Sequence, residues 1–346
     1  MPGYEMPTTD DRSIWDVWLS MHYLPAVTVA DEMGIFASLN EEPATPREIA
    51  TRLGYDYRTT IAVMRLLGSL GFLAVRDGVY QLTDQTRIYL LKDSPFYWGH
   101  MLGNRTPLHE RLREQLEGRS PTGRPGADAQ PSTGDGRSSG AWASGQIDME
   151  GARRVARSMQ SHSLAAAIGF ARNSGLAGVR RFLDIGGGSG CFAIALAQQH
   201  PNLHATIMEL PAMCEVALDY IRDGDVEGRV DTIAVDMFRE PWPTGYDAIF
   251  FSNVFHDWNF ETCAWLARQT YEALPPGGSI CLHEMLLDDD GSGPVTAASF
   301  SMLMLGTQGQ QFTFAELRQL LEAAGFFDVT AKNTSVYYSL VTGRKP

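Results

Sequence analysis

The sequence has little of what staples a fold, spans a bilayer or binds a polyanion. Among 346 residues there are four cysteines, Cys191, Cys214, Cys263 and Cys281, and no two of them form a Cys-x-x-Cys pair. That spacing excludes a disulfide scaffold and a thiolate zinc site and reads as reduced, buried thiols. Basic side chains are outnumbered, with 28 Lys and Arg against 41 Asp and Glu and a formal charge of -13. Such a balance repels nucleic acid. Long apolar runs are missing too: the longest are broken by residues such as His22, Pro25 and Asp31, short of the roughly 20 residues a membrane helix needs. No charged-then-apolar leader opens the chain, so the expectation is a cytoplasmic protein with neither a membrane nor a nucleic-acid partner. What the chain does have is 44% hydrophobic content, enough at this length to bury two cores.

The most informative segment is Arg181-Phe-Leu-Asp184-Ile-Gly186-Gly-Gly188-Ser-Gly190. It reads as a buried strand running into a glycine turn that opens a helix over Cys191 to Gln199. Glycines let the backbone approach a ligand and present amide donors at a helix N-terminus. A dinucleotide fingerprint counted from Gly186 fails at Cys191. Counted from Gly188 it reaches a permitted Ala193, but it leaves the Asp184 carboxylate where a pyrophosphate would sit. An acid there suits a ligand with an ammonium group, such as the aminocarboxypropyl arm of S-adenosylmethionine. Glu209 ends the next apolar run, Ala205 to Met208, where an acceptor for ribose hydroxyls is expected.

Two further strand ends carry polar residues. Asp236-Met237-Phe238 follows the run Val230 to Val235 and offers an acid for an adenine amine with apolar cover for its ring. The bland reading is a turn acid beside core residues. Ser252-Asn253-Val-Phe-His256-Asp257-Trp258 closes the run Tyr246 to Ser252, and open α/β sheets bind ligands at such ends. Asp257 also reads as the cap of a helix beginning near Asn259.

These motifs, followed by Leu274-Pro-Pro-Gly-Gly278 and Glu284, resemble those of small-molecule O-methyltransferases of the plant caffeate and bacterial polyketide type. Their order and spacing match across nearly the whole chain. The resemblance implies a Rossmann-like, seven-stranded class I methyltransferase domain preceded by a mainly helical winged-helix dimerisation domain. It implies S-adenosylmethionine as cofactor, contacted by Asp184, Gly186, Gly188, Glu209, Leu210, Asp236, Met237, Ser252 and Ser163, and a homodimer. His256 corresponds to the general base, with Glu284 steadying it and Asp257 beside it, so the implied reaction methylates a phenolic hydroxyl of a small aromatic metabolite, as in antibiotic biosynthesis.

Two positions depart from the family pattern. Many relatives carry a lysine where this chain has Ser252, and an acid where it has Gln311. Gln311 orients by hydrogen bonding but cannot help hold a charged imidazole. That leaves open methylation of a ring carbon ortho to a hydroxyl, or use of the scaffold without net methylation.

The N-terminal region, 1–112, reads as helices over Ile14 to Leu39, after Thr45-Pro46-Arg-Glu48 and over Arg58 to Leu70, then a hairpin about Arg76-Asp77-Gly78. This winged-helix pattern raises a second reading, a ligand-responsive DNA-binding regulator. Its recognition helix, however, offers only Arg58 and Arg65, against the six to ten phosphate contacts common in DNA binders. The resemblance instead assigns this region to dimerisation, with Trp15, Trp18, Leu19 and Val27 as the apolar surface; ordinary core packing fits them equally.

Residues 113–149 separate this region from a methyltransferase domain at 150–346. Within them, 118–145 is rich in Gly, Ser, Pro, Arg and Asp and reads as an unstructured insertion or a lid, with Trp142 its lone large apolar residue. Around it, Trp98 and Met101 on one expected helix and Met159 on another match the walls of the family's acceptor pocket. Asn253, Met302 and Gln311 complete the substrate set. Asp288-Asp289-Asp290 reads as a solvated turn, so no metal is expected.

Overall fold

The computed structural model describes residues 6–94, 97, 99–102, 107–119, 142 and 144–346. The chain divides into two compact units, one formed by Met1–Asp11, Pro125–Met285 and Phe314–Pro346, the other by Arg12–Arg124 and Leu286–Thr313. The division read from sequence, 1–112, 113–149 and 150–346, does not include the return of 286–313 to the N-terminal unit.

In that N-terminal unit, α1 (Arg12–Leu19), α2 (Tyr23–Glu32), α3 (Ile35–Glu41), α4 (Pro46–Leu53) and α5 (Tyr57–Ser69) precede a hairpin of β1 (Leu73–Arg76) and β2 (Val79–Leu82). The start of α4 is the capping box read from sequence: Thr45 accepts from the Glu48 amide while the Glu48 carboxylate takes the Thr45 N–H. Asp77 and Gly78 both have positive φ, as a two-residue hairpin turn needs. Short helices α6 (Asp84–Tyr89) and α7 (Gly99–Leu102) and then α8 (Pro107–Leu116) follow. Of the segment 96–104, expected as one helix, only Gly99–Leu102 is helical among the described residues.

Trp15, Leu19 and Val27, for which the sequence leaves interface and core packing equally open, are buried within their own unit. Trp15 and Trp18 pack on Phe300 at 5.8 and 6.1 Å between ring centroids. The exposed apolar stripe is formed by their helical neighbours Ile14, Val17, Met21 and Leu24. Arg58, one of the two arginines offered to DNA, is also spent internally. Its guanidinium donates to the carbonyls of Gly309 and Met304.

The other unit is built on a seven-stranded sheet. After the long helix α9 (Met149–Asn173), started by Asp148 accepting from the Gly151 amide, come β3 (Arg181–Ile185), α10 (Cys191–Gln199), β4 (His204–Glu209), α11 (Pro211–Asp223), β5 (Val230–Ala234) and β6 (Ala248–Ser252). Then follow α12 (Phe260–Ala273) and β7 (Ser279–Met285). Helix α13 (Val295–Met304) belongs to the N-terminal unit, after which α14 (Phe314–Ala323), β8 (Phe327–Ser335) and β9 (Tyr338–Arg344) complete the sheet.

The strand order is β5-β4-β3-β6-β7-β9-β8, and β9 runs antiparallel to both its neighbours. Connections from β3 lead to β4 on one side, while β6 lies on the other. The chain therefore reverses its direction of travel across the sheet between β3 and β6, which opens a crevice at their carboxyl ends. Beneath the crevice, Phe170, Phe182, Phe192 and Phe250 meet at centroid separations of 4.6 to 6.4 Å. This core holds the strand ends still.

Candidate functional site

The glycine turn follows β3 as the sequence implies. Gly190 caps α10 at φ 78°. A Cβ there would sit 2.3 Å from Ile207 Cδ1, so glycine is required twice over, by backbone and by space. Gly187, which sequence reasoning passed over, matters for a different reason: its Cβ would lie 2.8 Å from the Asp184 carboxyl.

Asp184 is 1% exposed. It accepts from the Ala193 amide, and its Oδ2 has no donor among the described residues. Burial, reinforced by the charge of Glu209, raises its carboxyl to about 7. Glu209 is also buried, and burial raises its carboxyl too, opposed by three donors. These are the Leu210 amide at 2.8 Å, the Trp142 indole N–H at 3.0 Å and the Gly188 amide at 3.3 Å.

Trp142 is a site residue that the sequence reading missed. It was the lone large apolar residue in a segment with nothing to pack, yet it lies against the cluster of Ala152, Val155, Ala156, Met213 and Val216. Its isolation in a polar stretch was the available signal. With Gly186, Glu209, Leu210, Asp236 and Met237 it lines a narrow crevice. Asp236 at the rim accepts from the Phe238 amide at 2.9 Å and pairs with Arg239. Of the 118–145 segment, residues 120–141 and 143 lie outside the described residues.

His256 follows β6 on a single 3-10 turn, Phe255–Asp257, and is 4% exposed. Its Nδ1 stands 3.2 Å from Glu284 Oε2 on the neighbouring strand β7, and its Nε2 is 3.9 Å from Asp257 Oδ1. Burial pulls the imidazole down, but the charge and hydrogen bond of Glu284, with Asp257 adding, outweigh it and leave the ring more basic than usual. Asp257 is pushed up to about 6 by its buried surroundings, with His256 opposing and Glu284 adding. A third of its side chain is still exposed, and solvent weakens the effect. The helix cap falls elsewhere than Asp257: Asn259 accepts from the Thr262 amide at 2.9 Å and starts α12.

Ser252 and Asn253 close β6. The Ser252 hydroxyl meets His283 Nδ1 at 3.1 Å, and Asn253 Nδ2 donates to the Tyr338 hydroxyl at 3.1 Å, leaving Asn253 Oδ1 buried with no partner. Ser163 is buried on α9 and touches His162 Nδ1 at 3.1 Å. Met159 packs half-buried beside Trp142's cluster. Met302 and Gln311 are buried in the N-terminal unit, where the Gln311 amide donates to Ser301 Oγ. Trp98 and the side chain of Met101 lie outside the described residues. In the acidic turn, Asp290 accepts from the Ser292 amide. Among the described residues no group of three or more His, Cys, Asp or Glu gathers as a ligand set. Nor, among them, is any helix long and apolar enough to cross a membrane.

Comparison with known proteins places these features in context. Residues 131–327 match the model of an O-methyltransferase domain, and residues 15–92 match that of an O-methyltransferase dimerisation domain. The 3-hydroxy-5-methyl-1-naphthoate 3-O-methyltransferase of Streptomyces sahachiroi is 36% identical over 88% of this chain and 86% of its own. The L-tyrosine C(3)-methyltransferase of Streptomyces lavendulae is 28% identical, over 87% and 82% respectively. Among solved structures, an O-methyltransferase family 2 protein from Planctomyces limnophilus, crystallised with apigenin, superposes with a TM-score of 0.86 at 26% identity and full coverage of both chains.

Proposed function

The chain belongs to the O-methyltransferase family and is an S-adenosylmethionine-dependent methyltransferase; from that premise we propose that it methylates a phenolic hydroxyl of a small aromatic metabolite, with His256 as general base. The observation that carries this reading is the buried His256–Glu284 pair at the end of the strand beside the glycine turn. Nδ1 faces Glu284, and Nε2, on the opposite side of the ring, is the nitrogen assigned to take the proton.

The residues fit the cofactor. Asp184 Oδ2 is a buried acceptor without a donor, suited to an ammonium group, and Glu209 is placed for hydroxyls. S-adenosylmethionine supplies an electrophilic methyl carbon on a sulfonium. The protein's own part is to hold the acceptor oxygen in line and relieve it of its proton. A phenol at about 10 and an ordinary imidazole at about 6.5 are separated by roughly 5 kcal/mol, so the proton leaves as the methyl arrives. Glu284 narrows this gap by raising the basicity of His256. Positioning contributes more, roughly 7–11 kcal/mol for a well-aligned pair.

A second reading, methylation at a ring carbon ortho to a hydroxyl, is favoured by the relative that acts on the tyrosine ring. It needs the same phenolate and the same base. Both readings place the active protein in a homodimer formed through the N-terminal unit, which offers the exposed stripe of Ile14, Val17, Met21 and Leu24.

Incubating the protein with S-adenosylmethionine labelled with 13C in the methyl group and a panel of phenols, followed by NMR of the products, separates the readings. The expected product carries label in a methoxyl group. Label on an aryl carbon selects the second reading, and absence of label from every phenol tested contradicts both.

A further inference from the structure

Sequence reasoning gave no role to His283, yet it is the most completely enclosed histidine beside the site, with none of its surface exposed. Strand pairing explains where it points. Asp184 in β3 is registered with Phe250 in β6, and Ser252, two residues on, is registered with His283 in β7. Side chains alternate along a strand, so Asp184, Ser252 and His283 project from one face of the sheet near the carboxyl ends of three adjacent strands.

The ring is fixed on every side. Tyr338 stacks on it at 4.9 Å and 4° between planes, while Phe170 and Phe192 present their rings at 5.4 and 5.1 Å. Burial holds its imidazole down to about 3, so it is neutral near neutral pH. A neutral ring donates from one nitrogen and accepts at the other. Nε2 is 2.8 Å from Thr334 Oγ1, and that hydroxyl donates onward to the Tyr338 carbonyl at 3.3 Å. If the threonine proton turned to His283 instead, two oxygen lone pairs would face each other across that second contact. Nε2 is therefore the donor, Nδ1 is the acceptor, and the 3.1 Å contact at Nδ1 takes the hydroxyl proton of Ser252.

We propose that His283 is a positioning residue which, by accepting the Ser252 proton, turns Ser252 Oγ into an acceptor for the ammonium group of the cofactor's amino-acid arm. Ser252 then acts with the free Oδ2 of Asp184 on the same face of the sheet. The relay ends in a backbone carbonyl, so its product is an orientation and no proton passes along it. This chain thus reads the positive end of the arm with two oxygens.

The inference rests on the cofactor reading above, and its test separates the two. Isothermal titration is run on the wild type, His283→Phe, Ser252→Ala and the double variant, with S-adenosylhomocysteine and with 5′-methylthioadenosine, which lacks the arm. Each single variant is expected to weaken S-adenosylhomocysteine by roughly 10- to 100-fold, the range for a hydrogen bond to a charged group. Binding of methylthioadenosine is expected to change by less than about twofold, and the double variant to be no weaker than Ser252→Ala, because the histidine acts through the serine. Nitrogen-15 NMR of the wild type, which needs no variant to fold, is expected to find His283 protonated on Nε2.

A proton on Nδ1 overturns the inference, as does a His283→Phe loss shared equally by both ligands or adding in full to that of Ser252→Ala. Wild-type protein that binds neither ligand overturns the cofactor reading, and this inference with it.

Discussion

On the proposed reading, Asp184 gives up a proton when the cofactor's ammonium group binds. At about 7, raised from an ordinary 3.8 by burial and then by Glu209, its carboxyl is largely protonated in mildly acidic solution. An ammonium group requires the carboxylate, so binding below pH 7 expels a proton. S-adenosylhomocysteine affinity is therefore expected to fall as the pH drops below about 7, by up to about tenfold per unit, with proton release visible in buffers of different ionisation enthalpy. A dissociation constant flat between about pH 5.5 and 8 would contradict this. The sign for the ligand-free fold agrees. A raised carboxyl binds its proton more tightly when folded, so the stability it contributes is present at low pH and lost as the pH rises through 7. The same acid was legible in the sequence as an obstacle to pyrophosphate; its neighbour Gly187 was not, because only the folded chain shows the Asp184 carboxyl bent back beneath it.

At the scale of elements, the strands were legible because parallel strands covered on both faces read as short apolar runs, and β3, β6 and β7 are buried almost throughout. The ends of helices were less so. Asp257 and Asn259 both suit a cap, and only the single 3-10 turn that carries His256 decides for Asn259, two residues later. Return of the 286–313 segment to the N-terminal unit was invisible for a similar reason: α13 has no polar face, its Thr296, Ser299 and Ser301 being buried among apolar residues, which marks burial without saying against what. The glycine turn allows a sharper forecast. Gly190→Ala forces a side chain into left-handed backbone, at about 1–2 kcal/mol, and onto Ile207. The substitution is expected to cost at least that much in a denaturant titration; a midpoint equal to wild type would mean the turn is not under the constraint described.

At the scale of the whole molecule, a chain of net negative charge carries an apolar stripe on its N-terminal helices. Ile14 and Val17 are 71% and 74% exposed, and Met21 and Leu24 continue their line at helical spacing. The sequence shows an apolar face on these helices and leaves interface and core equally open for Trp15 and Leu19, which lie in the unit's own core. Like charges placed on both copies of a self-complementary face repel. Val17→Glu with Met21→Glu is expected to convert a dimer to a monomer in analytical ultracentrifugation, and a persistent dimer would move the interface elsewhere. Arg58, bound to two carbonyls, remains unavailable to any polyanion.

The central claim is that a buried imidazole, oriented by Glu284, takes the acceptor's proton. Single-turnover methyl transfer by His256→Ala, at saturating cofactor and acceptor, tests it most directly. The account predicts a rate lower by about two to four powers of ten, with S-adenosylhomocysteine affinity within about threefold of wild type, since His256 is not among the residues assigned to the cofactor. Transfer at the wild-type rate would contradict it.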